Sequence, residues 1–228
     1  MKIPKHIGII LDGNRRWARA KGLSTFEGHR KGYENIAKIT KYAFKRGVEV
    51  VTVYAFSTEN WNRDKKEIEY LISLFRLLVN KEVNNLAKEG IRVNFFGRLE
   101  DFDKDLQKSI LKAKEKTKNG TNGTLNICLS YGGRDELVRA FKKIISQGIV
   151  ADKINEELVS KNLDSVGIDD PDMIIRTSGE QRLSGFLTWQ SVYSELYFPK
   201  KEWPAFDTAD LDEAIEEYSK RQRRFGAN

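Results

Sequence analysis

Short apolar runs recur along the chain near 6–12, 48–56 (VEVVTVYAF), 91–96 (IRVNFF), 124–130, 172–176 (DMIIR) and 194–198, and helical periodicity fills the stretches between them. This alternation leaves few folds open. Strands joined by helical crossovers pair in parallel, so the spacing predicts an α/β chain whose central, mostly parallel six-stranded sheet is flanked by helices. Between the first two strands Ile36, Ile39, Ala43 and Phe44 share a helix face that Gly47 ends. The longest helical pattern covers 67–88, where Ile68, Leu71, Ile72, Phe75, Leu78, Val79 and Leu86 form a wide stripe stopped by Gly90. Further helices are expected over 103–116, after Gly132 and Gly133 (carrying Leu137, Val138, Phe141, Ile144 and Ile145), and over 210–223. At 228 residues the expectation is a single domain spanning 1–228.

In such sheets ligands collect beyond the carboxyl ends of the strands, so the residues released there are the first candidates for chemistry. The first strand, in HIGIILDGNRRWA, stops at Asp12 and releases Asn14, Arg15, Arg16 and Trp17. A carboxylate beside two guanidinium forks suits a magnesium diphosphate, and Trp17 suits an apolar group carried by that phosphate. A strand followed by an ordinary charged turn is the competing reading of this stretch. The other exits match it: STENWNR (57–63) follows the second strand, Tyr131 with Gly132 and Gly133 the fourth, and RTSGEQRLS (176–184) the fifth. Charged and amide groups concentrate at these exits while the strands stay apolar, which points to one cleft along that edge.

Several chemistries are excluded. No GxGxxG follows the first strand and no GxxxxGK[ST] occurs, which argues against dinucleotide and P-loop folds; HExxH and GxSxG are also missing. Only His6 and His29 could serve a histidine triad, and the Asp169, Asp170, Asp172 cluster departs from DDxxD at Pro171 and Met173. The lone Cys128 sits in a strand pattern, so neither an intrachain disulfide nor a cysteine zinc site is expected. The net charge of +7 favours an anionic partner. The basic stretch 108–118 has helical spacing and no aromatic residue, so it reads as a solvated helix face and no nucleic-acid partner is expected. No apolar run approaches a signal peptide or a membrane span, and a cytoplasmic chain is expected.

The chain resembles the cis-prenyltransferases, the undecaprenyl diphosphate synthase family, over nearly its whole length. The resemblance rests on HIGIILDGNRRWA, GHRKG (28–32), YAFSTENWNR (54–63), LSYGGRDELV (129–138), IIRTSGEQRLSGFLTWQSVYSELYF (174–198) and RRFG (223–226). It implies a Mg2+-dependent enzyme that adds isopentenyl diphosphate repeatedly to an allylic diphosphate such as farnesyl diphosphate. The product would be a cis-polyprenyl diphosphate, a lipid-carrier precursor for cell-wall or glycan synthesis. The family pattern puts the allylic diphosphate on Gly13, Asn14, Arg15, Arg16 and His29, with Asp12 on the metal and Glu195 completing the metal site. Isopentenyl diphosphate would lie against Arg63, Arg176 and the Arg182, Leu183, Ser184 triplet, and Ser57, Thr58, Glu59, Asn60 and Trp61 would form the loop between the two sites. Asn60 resembles the residue that the family uses near proton removal; Asp12, Asn60 through water, and the diphosphate itself stay open as proton acceptors.

Some positions depart from the commonest pattern. Arg15 replaces a glycine, Gln181 and Gly185 replace His and Asn, and Thr25 stands where an arginine often holds diphosphate, a loss for which Lys21 is the candidate substitute. The stripe over 67–88 is read either as the wall of an apolar tunnel for the growing tail or as plain core packing. Bulky Tyr33 and Leu129 stand where relatives can carry alanine, which favours a shorter product. The resemblance further implies a homodimer whose RRFG tail reaches across the interface, and a transient, peripheral membrane contact for product release. Two alternatives of another class are a non-catalytic partner subunit, which would lack the strand-one carboxylate and arginines present here, and a basic nucleic-acid binding protein.

Overall fold

The structure, a computed structural model, describes residues 1–222, so the RRFG motif at 223–226 and its expected role lie outside the described residues. Strands β1 (His6–Ile10), β2 (Val50–Ser57), β3 (Arg92–Phe96), β4 (Thr124–Tyr131), β5 (Met173–Arg176) and β6 (Glu195–Tyr197) form one sheet in the order β3-β4-β2-β1-β5-β6, with every neighbouring pair parallel. From β1 the chain places β2 beside it, passes to the edge for β3, returns to insert β4 between β3 and β2, and then crosses to the other side of β1 for β5 and β6. The order therefore reverses at β1, where a ligand crevice is expected.

Successive strand side chains point to opposite faces. Ile7, Ile9, Val51, Val53, Leu125, Ile127, Met173 and Ile175 join the larger core on one face, whereas Ile10, Tyr54, Cys128 and Ile174 meet Phe186 and Leu187 on the other. Helices α1 (Asn14–Ala20), α2 (Thr25–Lys45), α3 (Lys65–Leu77), α4 (Val83–Lys88), α5 (Lys104–Thr117), α6 (Gly133–Ser146), α7 (Glu156–Ser160) and α8 (Thr208–Lys220) surround the sheet. The larger core takes Ile36 and Ile39 from α2, Leu71 and Phe75 from α3, Ile110 from α5 and Ile215 from α8. A capping box starts α2, with Ser24 accepting from the Glu27 backbone and Glu27 returning the bond.

Three expectations change. The single helix over 67–88 is two helices, α3 and α4, joined by a π-turn over Leu78–Glu82. The last helix stops at Lys220. On α6 the apolar residues occupy two faces: Ala140 and Ile144 are buried, while Val138, Phe141 and Ile145 face solvent at 52%, 40% and 69% exposure. The lysines of α5 project outward as a solvated face over buried Leu106, Ile110 and Ala113, as the spacing predicts.

Glycine decides how closely α1 and α2 approach. A Cβ on Gly28 would stand 2.3 Å from the Asn14 carbonyl oxygen, and one on Gly32 would stand 2.2 Å from Asn14 Oδ1. Neither contact is sterically possible, so the GHRKG motif is what lets α2 carry His29 alongside the first turn of α1.

Candidate active site

A cleft of about 1020 Å3 opens at the carboxyl ends of β1, β2, β4 and β5. Charged and amide residues from the strand exits line one part of it. Tyr33 and Ile36 of α2, Ala55 of β2 and Leu71, Leu74, Phe75 and Leu78 of the α3 segment line the other. The stripe thus divides: Leu71, Phe75 and Leu78 face the cleft, whereas Ile68, Ile72, Val79 and Leu86 only pack in the core. Leu129 is buried in β4, in the core behind the residues that line the cleft.

Asp12 is fixed by its backbone before its carboxylate does anything. Thr177 Oγ1 accepts from the Asp12 backbone N–H at 3.0 Å and donates to the Asp12 carbonyl at 2.7 Å, which ties the ends of β1 and β5 together. Gly13 follows with φ 101°, a left-handed conformation that caps α1, and a Cβ there would strike Glu202 at 2.8 Å. The Asp12 carboxylate then receives Arg176 Nη2 at 2.8 Å and Arg16 Nη2 at 3.1 Å. Burial opposes ionisation of Asp12, but the Arg176 hydrogen bond and the charges of Arg176 and Arg16 outweigh it and hold the carboxyl below its ordinary value. Arg176 is itself buried and also donates to Ser184 Oγ at 2.8 Å and to the Arg182 carbonyl.

A second carboxylate organises the α2 and α3 side. Glu67 accepts from Arg63 Nη1 at 2.9 Å, lies 3.0 Å from His29 Nε2 and pairs with Arg15 at 3.8 Å. Burial lowers the His29 pKa, the Arg63 and Arg15 charges add to that, and Glu67 only partly opposes it. Glu67 takes the Nε2 proton, so Nδ1 donates to an anion only once the ring gains a second proton, which a bound diphosphate favours. In the loop Thr58–Asn62, Asn60 Oδ1 accepts from the Ser57 backbone N–H at 3.1 Å, a cap that sets the loop's first turn.

Of the expected residues, Asp12, Gly13, Asn14, Arg15, Arg16, His29, Ser57, Thr58, Glu59, Asn60, Arg63, Arg176, Arg182, Leu183 and Ser184 all line this cleft. Three do not. Trp17 and Lys21 are one helical turn apart on α1, and the Lys21 ammonium lies 5.5 Å from the Trp17 ring centroid, outside the cleft lining. Neither Lys21 nor Thr25 joins the diphosphate residues. Trp61 turns inward instead, packing on Phe56 at 5.1 Å and Phe102 at 5.4 Å and donating Nε1–H to Ser130 Oγ at 2.9 Å, so it anchors the loop from beneath. Glu195 stands in register with Met173 at the amino end of β5 and binds Arg221 at 3.0 Å. Asp12 lies beyond the opposite end of the neighbouring strand, at least roughly 15 Å along the strand direction at about 3.3 Å per residue. Within one chain, Asp12 and Glu195 therefore do not form a metal pair.

Sequence reasoning missed Glu67, Glu180 and Arg134. Glu67 is four residues after Arg63, the spacing of a helical ion pair, which is the one signal that pointed to it. Arg134, the first residue after Gly133 in α6, also lines the cleft.

A family model described as a putative undecaprenyl diphosphate synthase matches residues 10–226. The chain is 46% identical to an isoprenyl transferase of Clostridium perfringens, covering 99% of this chain and 90% of that one, and 48% identical to one of Fusobacterium nucleatum, covering 98% and 96%. Among solved structures, lavandulyl diphosphate synthase from Lavandula x intermedia, in complex with dimethylallyl diphosphate, is 33% identical with a TM-score of 0.93 over 98% of both chains. A probable undecaprenyl diphosphate synthase from Campylobacter jejuni is 30% identical with a TM-score of 0.83, covering 99% of this chain and all of that one.

Proposed function

Because the chain belongs to the undecaprenyl diphosphate synthase family and is an isoprenyl transferase, we propose that its cleft joins isopentenyl diphosphate to an allylic diphosphate in repeated cis additions, with Mg2+. The observation that carries this reading is the division of one cleft into a cationic part and an apolar part. The first suits two diphosphates and the second a growing hydrocarbon tail. Gly13, Asn14, Arg15, Arg16 and His29 take the allylic diphosphate, while Arg63, Arg176, Arg182 and Ser184 take isopentenyl diphosphate.

The donor set fits magnesium. Among the described residues no group of three acidic, cysteine or histidine side chains could cage a metal. Magnesium normally binds one or two carboxylates together with phosphate oxygens and water, so Asp12 with a diphosphate satisfies it. When bound, the metal neutralises charge on the leaving diphosphate. The rest of the work falls to the side chains. As the allylic carbon–oxygen bond breaks, its electron pair leaves with the diphosphate, and Arg15 and Arg16 stabilise that charge more in the transition state than before it. The isopentenyl double bond attacks the allylic carbon, and the proton lost from the adjacent isopentenyl carbon goes to an oxygen of the departing pyrophosphate. Asn60, held by its bond to the Ser57 N–H, stands at the loop between the sites and orients the route for that proton.

The tail extends along Tyr33, Ile36, Leu71, Phe75 and Leu78. The solvent-facing stripe of Val138, Phe141 and Ile145 on α6 supports a homodimer. No described helix is long and apolar enough to cross a membrane, and product release is assigned to transient peripheral contact of a cytoplasmic enzyme. Incubation with farnesyl diphosphate, labelled isopentenyl diphosphate and Mg2+, followed by chromatography, is expected to give labelled polyprenyl diphosphates. Absence of any elongated product from the folded protein would reject the reading.

A further inference from the structure

Glu180 lies in neither expected substrate set, yet it touches both. Its Oε1 receives Arg16 Nη1 at 3.0 Å, and its Oε2 receives Arg182 Nη1. One carboxylate thus spans an arginine assigned to the allylic diphosphate and one assigned to isopentenyl diphosphate. The turn beneath it is built to hold that position. Ser178 and Gly179 are consecutive left-handed residues, at φ 77° and 73°, and a serine adopts that conformation only where its surroundings impose it. Here the Ser178 N–H donates to the Lys201 carbonyl and the Gly179 N–H to the Pro199 carbonyl, both at 2.8 Å.

The pairs on this fixed turn are weak ones. The side chains are 29% exposed for Glu180, 47% for Arg16 and 61% for Arg182, and ion pairs at such exposure are easily exchanged. A diphosphate offers several charge-assisted bonds to the same guanidinium groups and displaces Glu180 from them. Once the diphosphate is gone, the rigid turn returns the carboxylate to the arginines.

We propose that Glu180 is a positioning residue that acts as an internal counter-anion, standing in for phosphate oxygens on Arg16 and Arg182 and so limiting how tightly the cleft retains pyrophosphate. The proposal rests on the diphosphate reading above. Each condensation frees pyrophosphate on the Arg16 side and leaves the lengthened diphosphate on the Arg182 side, from which it must move before the next addition. An anion between the two arginines opposes retention at both steps.

The test is calorimetric titration of the full chain with inorganic pyrophosphate at a fixed Mg2+ concentration, using wild type, Glu180→Gln and Arg16→Ala, each confirmed folded by circular dichroism. Glu180→Gln keeps the shape and removes the charge. It is expected to bind pyrophosphate about 3- to 10-fold more tightly, the effect of one partly screened nearby charge, and the gap should narrow as salt is raised. A merely structural role would weaken binding instead. Equal or weaker binding by Glu180→Gln overturns the proposal, provided that Arg16→Ala weakens binding. If Arg16→Ala binds pyrophosphate as wild type does, the diphosphate reading itself fails.

Discussion

The two ends of the sheet handle polar groups in opposite ways. At the amino end a neutral hydrogen-bond ladder crosses the strands inside the protein: His6 Nδ1 meets the Asp169 carbonyl at 2.6 Å, His6 Nε2 meets Thr52 Oγ1 at 2.7 Å, Asn126 Nδ2 donates to Thr52 Oγ1 at 2.9 Å, and Asn94 Nδ2 donates to Asn126 Oδ1 at 3.0 Å. The Asp169 carbonyl requires the proton on Nδ1, which makes Nε2 an acceptor for the Thr52 hydroxyl, so every bond runs in one consistent direction. At the carboxyl end the polar groups are charged and largely half-exposed, and Asp12, Glu67 and Glu180 hold the arginines in pairs that a substrate can replace. Permanently satisfied polar groups fix register; exchangeable ones are left for chemistry.

The sharpest way to break this comparison is to neutralise one group at each end. Asp12→Asn keeps an acceptor for Arg176, so the protein should stay folded with a lower melting temperature from the unpaired buried guanidinium, while turnover falls by about 1000-fold, around 4 kcal/mol of transition-state stabilisation. Steady-state rates alongside a melting curve decide it, and a folded Asp12→Asn protein with near-normal turnover would refute the role of the carboxylate. His6 should do the reverse. Burial lowers its pKa to about 4 from 6.5, so below pH 6.5 the unfolded chain binds a proton that the native chain refuses until about pH 4. Stability contributed by the neutral ring is intact above pH 6.5 and falls as the pH drops, by about 3 kcal/mol over that window. Denaturant titrations of wild type and His6→Gln between pH 7 and 4 should diverge by that amount; parallel curves would show that His6 is not the source.

A smaller effect separates the two halves of the cleft. Losing a charge-assisted hydrogen bond costs roughly 1.5–3 kcal/mol, so Arg182→Ala should raise the KM for isopentenyl diphosphate by about 10- to 100-fold, with the allylic KM changing by less than about threefold. Arg176→Ala should show the same kinetic bias together with lost stability, because Arg176 is buried and its removal strands Asp12 and Ser184. Equal weakening of both substrates by Arg182→Ala would merge the two proposed subsites into one.

How far the sequence reached follows from the same contrast. Strand positions were legible because apolar runs at β1, β2, β4 and β5 had to be buried, and the cleft was legible because Asp12, Arg63 and Arg176 interrupt them at the ends. The π-turn at Leu78–Glu82 was not, since a one-residue change in helical hydrogen bonding leaves no mark in the pattern of apolar letters. The buried face of α6 was misjudged because Glu136 is buried while Phe141 is exposed; Tyr131 Oη at 2.6 Å, the Asp164 backbone N–H at 3.0 Å and Gln190 Nε2 at 3.1 Å all donate to the Glu136 carboxylate and make that burial tolerable. Trp17 and Trp61 were placed by proximity to site residues, but helical phase and the aromatic cluster decide where a ring goes. Glu67 and Glu180 stay unassigned in the sequence because only the folded chain shows that they hold His29 and Arg15, and Arg16 and Arg182, respectively.

The apolar half of the cleft allows a finer test than the charged half, because it alters product length rather than rate. Tyr33 shares that wall with Ile36 and Leu78, and burial pushes its hydroxyl well above the usual phenol range, so the ring stays neutral against the hydrocarbon. Tyr33→Ala removes a phenol ring, a volume on the order of 100 Å3 and comparable with one five-carbon unit. The surrounding Leu71, Leu74 and Leu78 are fixed on α3 and the π-turn after it and close such a gap only in part. The variant should therefore form products longer by about one isoprene unit, with little change in the KM of either diphosphate, since no charged contact is touched. Mass spectrometry of the dephosphorylated products resolves a single unit. Leu129→Ala is the matched control: its side chain lies in the core away from the cleft, so it should cost stability and leave product length alone. Lengthening by Leu129→Ala but not by Tyr33→Ala would place the tail on the other side of β4.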